Sequence, residues 1–592
     1  MGVPRLFPYI CQTFPNSVKG VLQHDTAMTI DNLYIDANPI IHVECQHVYN
    51  YGPNKRLLQP YTDLSSSEKQ LLVYERIFNA IIKLVNIVTP TKILFIAIDG
   101  TAPVSKQNQQ RQRRFIATYN KNVTTEFTPV CLSPGTIFMH NLTQYINYKI
   151  RKYLNHQYSL NSGLIVYFSS SQVPGEGEHK IMNFIRDKQF DANTSHCFYG
   201  PDADLIMLTL SVHVPIIYLL RPNTNGYHPA GIYCDYHIVN MSSIRNELHT
   251  ILYTHEFIEH NLKSKSQDEL NITSNDFILI GLFVGNDFLP PIKMFYYLES
   301  GIQFMLDAHK DIVKAQYPGL TYMMDNKYMI NMHKFRLFVE FLSLYENDYL
   351  TEQINIPILD EKYYDTLLHD HVDYRIDARI NTIQDLSHIQ ITPNMQLNYA
   401  SYRTAYYKKA GVENEDEIKK MCQEYLKGIV WVFDYYTNTI PSWDWYYPYH
   451  YAPLMQDFVN VLKSKYTHEF ELGQPSIPFV QLLSILPKNC IHLLPKTFNK
   501  VVNDEWFVSH KYYSDELKMD YEGKIKEYQG ICLLSFVDRQ IINNVYDKYK
   551  GKKIYKRNEL GKLAKFSKRQ QYKKFTSVYG NIGKCFVKRI EE

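Results

Sequence analysis

Residues 92–115 read KILFIAIDGTAPVSKQNQQRQRRF. An apolar run with the β-branched and aromatic content of a strand stops at Asp99, the DGTAP segment turns the chain, and a polar stretch with helical spacing follows. The same order recurs through the first 300 residues. NLYID (32–36) ends at Asp36, LIVYF (164–168) runs into SSSQVPGEGEH with Glu176 and Glu178, and HCFYG (196–200) runs into PDADLIML with Asp202 and Asp204. Asp287 follows another apolar stretch, DFILIGLFVGND (276–287). Strand-like runs alternating with longer amphipathic segments predict βαβ units around a parallel sheet.

In an open parallel sheet, ligands bind in the crevice beyond the carboxyl ends of the strands. Asp36, Asp99, Glu176, Glu178, Asp202, Asp204 and Asp287 are therefore expected to converge on one pocket. Any single one of them fits a helix N-cap or a loop, but the DxD and ExE pairs after strands weaken that reading for the set. Seven carboxylates in one pocket raise one another's pKa values, and divalent cations resolve the conflict. Hard oxygen donors without thiolate favour Mg²⁺ or Mn²⁺. Two such ions about 4 Å apart clamp the attacking and leaving oxygens of a phosphodiester.

After Asp99, Lys106, Gln110, Arg113 and Arg114 fall at i, i+4, i+7 and i+8, on one helical face. A cationic face carrying an amide donor suits a terminal phosphate. An ordinary solvated basic helix has the same spacing, and adjacency to Asp99 favours substrate binding. A pocket gripping a 5′ phosphate beside the metals would cut one nucleotide in from the end, repeatedly.

Composition excludes other classes. The chain has 592 residues, 45% hydrophobic and 21% charged, which argues against a mainly disordered protein and for several domains. Nine cysteines without a CxxC pair argue against a zinc knuckle or a disulfide framework. No apolar run approaches the roughly 18 residues of a membrane span, and the start MGVPRLFPYI has no signal-peptide pattern. An intracellular, cytoplasmic protein is expected, in the host cytoplasm if the chain is viral. The 49 tyrosines reflect AT-rich codons better than a stacking role.

MGVPRLFPYI, DANPIIH, IDGTAPVSKQNQQRQRRF, SPGTIFM, VPGEGEHKIM, YGPDADLIML and VGNDFLP, in that order, resemble the successive signature blocks of the XRN-family 5′-to-3′ exoribonucleases. WDWYYPYHYAP (443–453), PFVQLLSILP (478–487) and DYEGKIKEYQGICLLSFVD (520–538) are similar to the family's second core region. The resemblance implies an α/β fold, a PIN/flap-nuclease-like, mostly parallel sheet flanked by helices, with a second mixed, largely helical core region packed on it. It implies a two-metal site at the seven carboxylates and a 5′-monophosphate pocket at Lys106, Gln110, Arg113 and Arg114. His42 and Trp445, or alternatively Trp443, correspond to the pair that stacks on the 5′-terminal base, and Pro103 to a proline that excludes duplex. The implied partner is single-stranded RNA with a 5′-monophosphate; no obligate protein partner or membrane is expected, and the chain is expected to be a monomer.

Three features depart from the family pattern. The interval between Asp287 and residue 443 is shorter than in cellular members, no long array of small β domains follows residue 540, and the zinc knuckle is absent, as expected of a compact member from a large DNA virus or a protist. The expected division is a catalytic core (1–310), a second region closing the active site (311–545), in which 300–440 reads mainly as helices, and a basic C-terminal tail (546–592). Within 548–589, fifteen Lys and Arg face one acid, Glu559, so the +3 net charge hides an acidic body. That run reads either as a solvated, disordered tail or as an electrostatic guide for RNA, and its deletion is expected to weaken binding but spare chemistry. A flap-type DNA nuclease is the nearest alternative, though PIKMFYYLESGIQFML (291–306) lacks the glycine pattern of a helix–hairpin–helix. A catalytically inactive RNA-binding scaffold is the other.

Overall fold

The computed structural model describes residues 6–592 except 23–27, 55–60, 119–126, 160–162, 225, 227, 229–230, 254–265, 296–297, 314–318, 356–396, 464–468, 514–516 and 521–529. Residues 1–5 of the first motif and most of DYEGKIKEYQG thus lie outside the described residues.

The centre is a nine-stranded sheet. Its strands are β1 (Val18–Val21), β2 (Ile30–Asp36), β3 (Pro90–Ala97), β4 (Ile165–Ser169), β5 (Ser195–Tyr199), β6 (Ile216–Pro222), β7 (Tyr236–Asn240), β12 (Ala564–Ser577) and β13 (Gly580–Glu591), in the order β1-β7-β6-β5-β2-β3-β4-β12-β13. Two small hairpins stand apart, β8 (Thr321–Met324) with β9 (Lys327–Ile330) and β10 (Met519–Asp520) with β11 (Ile531–Cys532). The pairings β6–β5, β5–β2, β2–β3 and β3–β4 are parallel, and the strands outside them pair antiparallel. β2 is buried on both faces from Asn32 to Asp36, as a central parallel strand covered by helices on both sides should be. After β4 the chain crosses to the other side of β2, so the strand order reverses there, at the topological switch point where such sheets hold their ligands.

The helices of the first half are α1 (Leu6–Thr13), α2 (Asn38–Tyr49), α3 (Ser66–Val88), α4 (Val104–Thr118), α5 (Ile137–Ser159), α6 (Gly177–Lys188), α7 (Asp204–Ser211), α8 (Met241–Leu252) and α9 (Gln267–Gly281). α2, α3 and α5 bury one face of the sheet, through Ile41, Ile77, Leu142 and Ile146 against Leu33, Ile35 and Ile96. α6 to α9 bury the other, in a core continuous with the second half. That half contains α10 (Leu298–Val313), α11 (Met332–Ser343), α12 (Glu346–Asn355), α13 (Tyr399–Lys409), α14 (Glu415–Thr437), α15 (Met455–Leu462), α16 (Pro478–Ile485), α17 (Glu505–Ser509) and α18 (Arg539–Tyr549). No helix among the described residues is long and apolar enough to cross a membrane, and no disulfide joins any of the nine cysteines.

Two expectations are corrected here. The apolar stretch before Asp287 is not a strand: α9 and a 3₁₀ turn, Leu282–Val284, form it, and every residue from Asn271 to Val284 is buried. A fully buried helix lacks an amphipathic period and reads like a buried strand. The basic end is not a solvated tail either. Residues 564–591 form the β12–β13 hairpin, and β12 pairs with β4 through Ala564–Phe168 and Phe566–Val166. Ala564, Phe566, Ile582, Cys585 and Val587 are buried against α5 and β4, which outweighs the repulsion among the lysines that they carry.

Candidate active site

The carboxyl ends of four parallel strands deliver six of the acids. Asp36 is the last residue of β2, Asp99 lies two residues past β3, Glu176 and Glu178 flank the start of α6 after β4, and Asp202 and Asp204 lead from β5 into α7. Short hydrogen bonds fix the loops between them. Asn38 donates its N–H to Asp36 Oδ1 (3.2 Å) and accepts the Asp99 N–H on its own Oδ1 (3.2 Å). The Gly177 N–H donates to Asp99 Oδ1 at 2.7 Å. Lys180 is buried and donates to the carbonyls of Ile98 (2.6 Å), Ser170 (3.0 Å) and Val173 (3.0 Å), tying the ends of β3 and β4 together. Burial pulls its pKa down to about 7, against the opposing pull of Asp99 and Asp36. At Gly100 a Cβ would fall inside the carbonyl oxygen of Val173, so the DGTAP turn requires glycine where these loops cross.

Asp36, Glu178 and Asp202 each present an oxygen within 4.8 Å of the other two. Burial, and then the charges of Asp99, Asp202 and Asp204, push Asp36 well above the usual carboxylate range. Burial and then Asp204 do the same to Glu178. Asp204 is raised to about 6, by burial and then by Asp202 and Asp287. Glu176 is raised by burial, with Lys106 opposing. All seven carboxylates thus belong to one electrostatically linked set. Asp204 Oδ1 is buried and accepts no hydrogen bond. An orphaned acceptor among carboxylates that resist ionisation in close quarters is the environment that a divalent cation satisfies; the residues fit such an ion.

α4 borders this cluster. Lys106 ion-pairs with Glu176 and, at 2.7 Å, with Asp287; Gln109 Nε2 donates to Asp287 Oδ1 at 2.7 Å, and Arg113 lies 3.6 Å from the same oxygen. Burial alone would raise Asp287, but Lys106 and Arg113 outweigh it and hold the carboxyl well below its ordinary range. Lys106 is therefore aimed at the acids, not at open solvent. The Arg113 side chain is about half exposed (49%). Arg114 donates to Ser133 Oγ (3.1 and 2.9 Å) and to the Gln110 carbonyl (3.2 Å), and burial, then Arg113, lowers it to about 10. Gln110 is buried, and its Oε1 accepts Gln481 Nε2 at 3.3 Å.

The His42 ring is open to solvent, yet its pKa is lowered, first by the protein enclosing it and then by Arg114 and Arg113, with Asp99 and Asp202 opposing. His42 is thus exposed yet closely surrounded by protein, within electrostatic reach of both arginines and of Asp99 and Asp202. The tryptophans are placed otherwise. Trp445 packs on Trp431 (ring centroids 5.4 Å) and edge-on to Phe470 (6.2 Å). The Trp443 carbonyl accepts the Val104 N–H at 2.9 Å, anchoring the start of α4. Among the described residues no ring contact joins His42 to either tryptophan. Pro103 is buried just before α4, with little surface to meet a duplex.

Several contributors carry no motif signal. Tyr435, on α14, donates its OH to Glu176 Oε1 (3.0 Å) and stacks on His179 (3.6 Å, 9°). Gln109 sits between the basic Lys106 and Arg113, and Lys180 is masked by an ordinary helical pattern. Gln481 accepts the Ala102 N–H at 2.7 Å; only its place in PFVQLLSILP marked it.

The chain matches two family models, one described as the XRN 5′-3′ exonuclease N-terminus over residues 1–223 and one as the Xrn1 helical domain over residues 268–357 and 358–562. Among curated proteins, the 5′-3′ exoribonuclease 1 of Homo sapiens is 30% identical over 91% of this chain and 34% of its own length. The enzyme of the same name from Saccharomyces cerevisiae is 27% identical over 95% of this chain and 44% of its own. The 5′-3′ exoribonuclease 2 of Debaryomyces hansenii is 27% identical over 93% and 70%. The chain therefore spans between a third and a half of the length of the first two. A solved structure, the catalytic core of Rad2 in complex with DNA substrate, aligns with 68% of this chain and 86% of its own at 13% identity and a TM-score of 0.28, too low a score to carry an argument.

Proposed function

The chain belongs to the XRN family of 5′-to-3′ exonucleases, and from that premise we propose that it degrades single-stranded RNA processively from a 5′-monophosphorylated end, releasing 5′-mononucleotides. The observation that carries this reading is the contiguity of the acidic cluster with the cationic face of α4, joined through Lys106 and Arg113 to Asp287. Asp36, Asp99, Glu176, Glu178, Asp202, Asp204 and Asp287 would hold two Mg²⁺ or Mn²⁺ ions. Bound there, the ions supply the positive charge that hydrolysis needs at the attacking and leaving oxygens.

The remaining work falls to the chain. Arg113, Arg114 and the Gln110 amide grip the terminal phosphate and set the register of the scissile bond, so that binding geometry selects one nucleotide per step. Lys106 balances Glu176 and Asp287 and orients both. His42 stacks on the terminal base, a contact worth about 1–3 kcal/mol that tolerates any sequence. The opposite face of that base is assigned to Trp445 or Trp443; for Trp445 this requires the 440–453 loop to present a ring that packs on Trp431 and Phe470.

The test uses RNA and DNA oligonucleotides labelled at either end and carrying 5′-phosphate or 5′-hydroxyl, with Mg²⁺ or EDTA. The expected result is release of 5′-mononucleotides from phosphorylated RNA that EDTA abolishes. Arg113→Ala should erode the preference for the phosphorylated end about tenfold, and Asp202→Asn with Asp204→Asn should stop turnover while sparing RNA binding. Cleavage of a DNA flap in place of stepwise release identifies a flap nuclease, and binding without turnover identifies a scaffold.

A further inference from the structure

We infer that the exposed part of the β12–β13 hairpin beyond Phe566 is an accessory binding surface for the sugar–phosphate backbone of single-stranded RNA, remote from the active site. The identity of the ligand rests on the function proposed above; the surface itself rests on four observations.

First, the hairpin is docked by one side only. β12 pairs with β4 at Ala564, Lys565 and Phe566, and beyond them it pairs, among the described residues, with β13. Its inner side is fastened to α5: Arg151 Nη1 donates to the Val587 carbonyl (3.2 Å), Asn155 Nδ2 to that of Lys584 (2.9 Å), and the Phe586 N–H to Asn155 Oδ1 (2.8 Å). Second, beyond Phe566 the hairpin is exposed and cationic, with Lys568, Lys573, Lys574 and Lys584 all in solvent.

Third, these cations are not balanced. The acids at the end of the chain are already engaged, Glu592 with Lys565 and Lys188 and Glu591 with Arg589. Among the described residues no ion pair reaches Lys568, Arg569, Lys573, Lys574 or Lys584, and the Arg569 Nε is buried without a hydrogen-bond partner. Register shifts between Lys568 and Lys573 and between Lys573 and Phe575 leave Lys573 opposite Cys585, so Lys574 and Lys584, the residues next to that pair, adjoin at a bulge and like charges gather there. Like charges across a strand pair are destabilising. Guarding a sheet edge against aggregation takes a single lysine, not four on one hairpin.

Fourth, an aromatic ring stands among them. Tyr572 is 50% exposed, Lys584 Nζ lies 5.7 Å from its ring centroid, and Phe586 supports it edge-on at 5.9 Å. Lysines around a braced, solvent-facing ring are the means by which proteins track a single strand, by charge on the phosphates and stacking on bases. A lipid headgroup layer or an acidic protein would use the charge but not the ring.

The hairpin starts beside Phe168, at the end of β4 nearest the acids. Tyr572 lies eight residues further along, about 27 Å at strand rise, so roughly eight stacked nucleotides at about 3.4 Å each are needed to reach it. Short RNA should not feel the patch.

The experiment compares the wild-type chain with the Lys568→Gln, Lys573→Gln, Lys574→Gln, Lys584→Gln variant and with the corresponding fourfold Lys→Arg variant. The probes are 5′-phosphorylated 30-mer and 5-mer poly(U) and phosphatidylserine vesicles, from 50 to 300 mM salt. The Gln variant is expected to bind the 30-mer at least tenfold more weakly at low salt, with the slope of log K against log salt shallower by up to about 3 (about 0.7 per phosphate contact). Its 5-mer hydrolysis should stay within twofold of wild type, and the Arg variant should retain 30-mer affinity. An unchanged slope overturns the proposal, as does an equal loss on the 5-mer or vesicle binding in place of RNA binding. Wild-type chain that binds the 30-mer but hydrolyses neither RNA refutes the proposed function and leaves the surface standing.

Discussion

Gly177 separates the two glutamates of the ExE pair, and its replacement by alanine tests how closely the acids are held. An alanine Cβ would lie 2.8 Å from Asp36 Oδ1 and 3.4 Å from Asp99 Oδ1, where ordinary contact begins at 3.4 Å. Asp36 Oδ1 must therefore retreat by about 0.6 Å, while the Asn38 N–H holds that same oxygen and the carboxylate is buried. Metal–ligand distances tolerate only about ±0.2 Å, and a misplacement of about 1 Å near the chemistry costs on the order of a hundredfold. Gly177→Ala should therefore lower the rate about 10- to 100-fold and raise the Mg²⁺ midpoint. Stability should move little, since alanine gains up to about 1 kcal/mol in helix propensity and loses about 1–3 kcal/mol to the overlap. The assays are initial rate against Mg²⁺ concentration and a thermal unfolding curve. Wild-type rate at an unchanged Mg²⁺ midpoint would refute the reasoning.

Gln481→Met removes the acceptor of the Ala102 N–H and the donor to Gln110 Oε1. It should cost about 1–3 kcal/mol of stability and weaken discrimination between 5′-phosphate and 5′-hydroxyl ends, with no further loss on adding Gln110→Ala; additive losses would separate the two residues. Burial lifts Glu346 to about 7, against hydrogen bonds from Met455, Gln456 and Tyr399. The folded state then holds a proton that the unfolded chain releases near pH 4.5, so stability should fall as pH rises from about 4.5 to about 7, by up to ~3 kcal/mol. Glu346→Gln should flatten that dependence while losing about 1–3 kcal/mol, because one backbone N–H then faces an amide N–H₂; an unflattened curve assigns the slope elsewhere. Truncation after residue 547 should give insoluble or inactive protein, because it exposes the apolar faces that Phe566, Ile582 and Val587 cover, each worth about 1.5–3 kcal/mol; a soluble, active truncation would restore the tail reading.

The core of the site was legible because parallel strands advertise themselves twice, by an apolar run and by what stops it. Asp36, Asp99, Glu176, Glu178, Asp202 and Asp204 each follow such a run, and the sheet gathers them without further information. Asp287 was identified for its acid but given the wrong neighbour, since a helix buried all round carries no period. The loop 440–453 was legible as irregular but not in its bonds: Val104 to Trp443 and Ala102 to Gln481 join segments more than 330 residues apart. No local pattern encodes such pairings. The hairpin was hidden by its own bulges, which break the two-residue alternation that marks a half-buried strand, and by lysines that dominate its composition.

That hairpin changes what the end of the chain does for catalysis. The loop after β4 carries Glu176 and Glu178, and at its base Gln172 accepts the Gly561 N–H at 2.8 Å and donates to the carbonyls of Lys556 (2.9 Å) and Glu559 (3.3 Å). Arg557 donates to the Leu493 carbonyl at 3.0 Å, linking the same segment to the second half. The loop is therefore held from below by Lys180 and from the side by residues 556–561, immediately before the chain enters β12. The basic end cannot act only as a guide that is separable from the chemistry. Its first residues brace the acidic loop, its next three complete the sheet beside β4, and only beyond Phe566 come the exposed Lys568, Lys573, Lys574 and Lys584. Neutralising the outer lysines and deleting the segment are thus different perturbations, and only the first isolates binding.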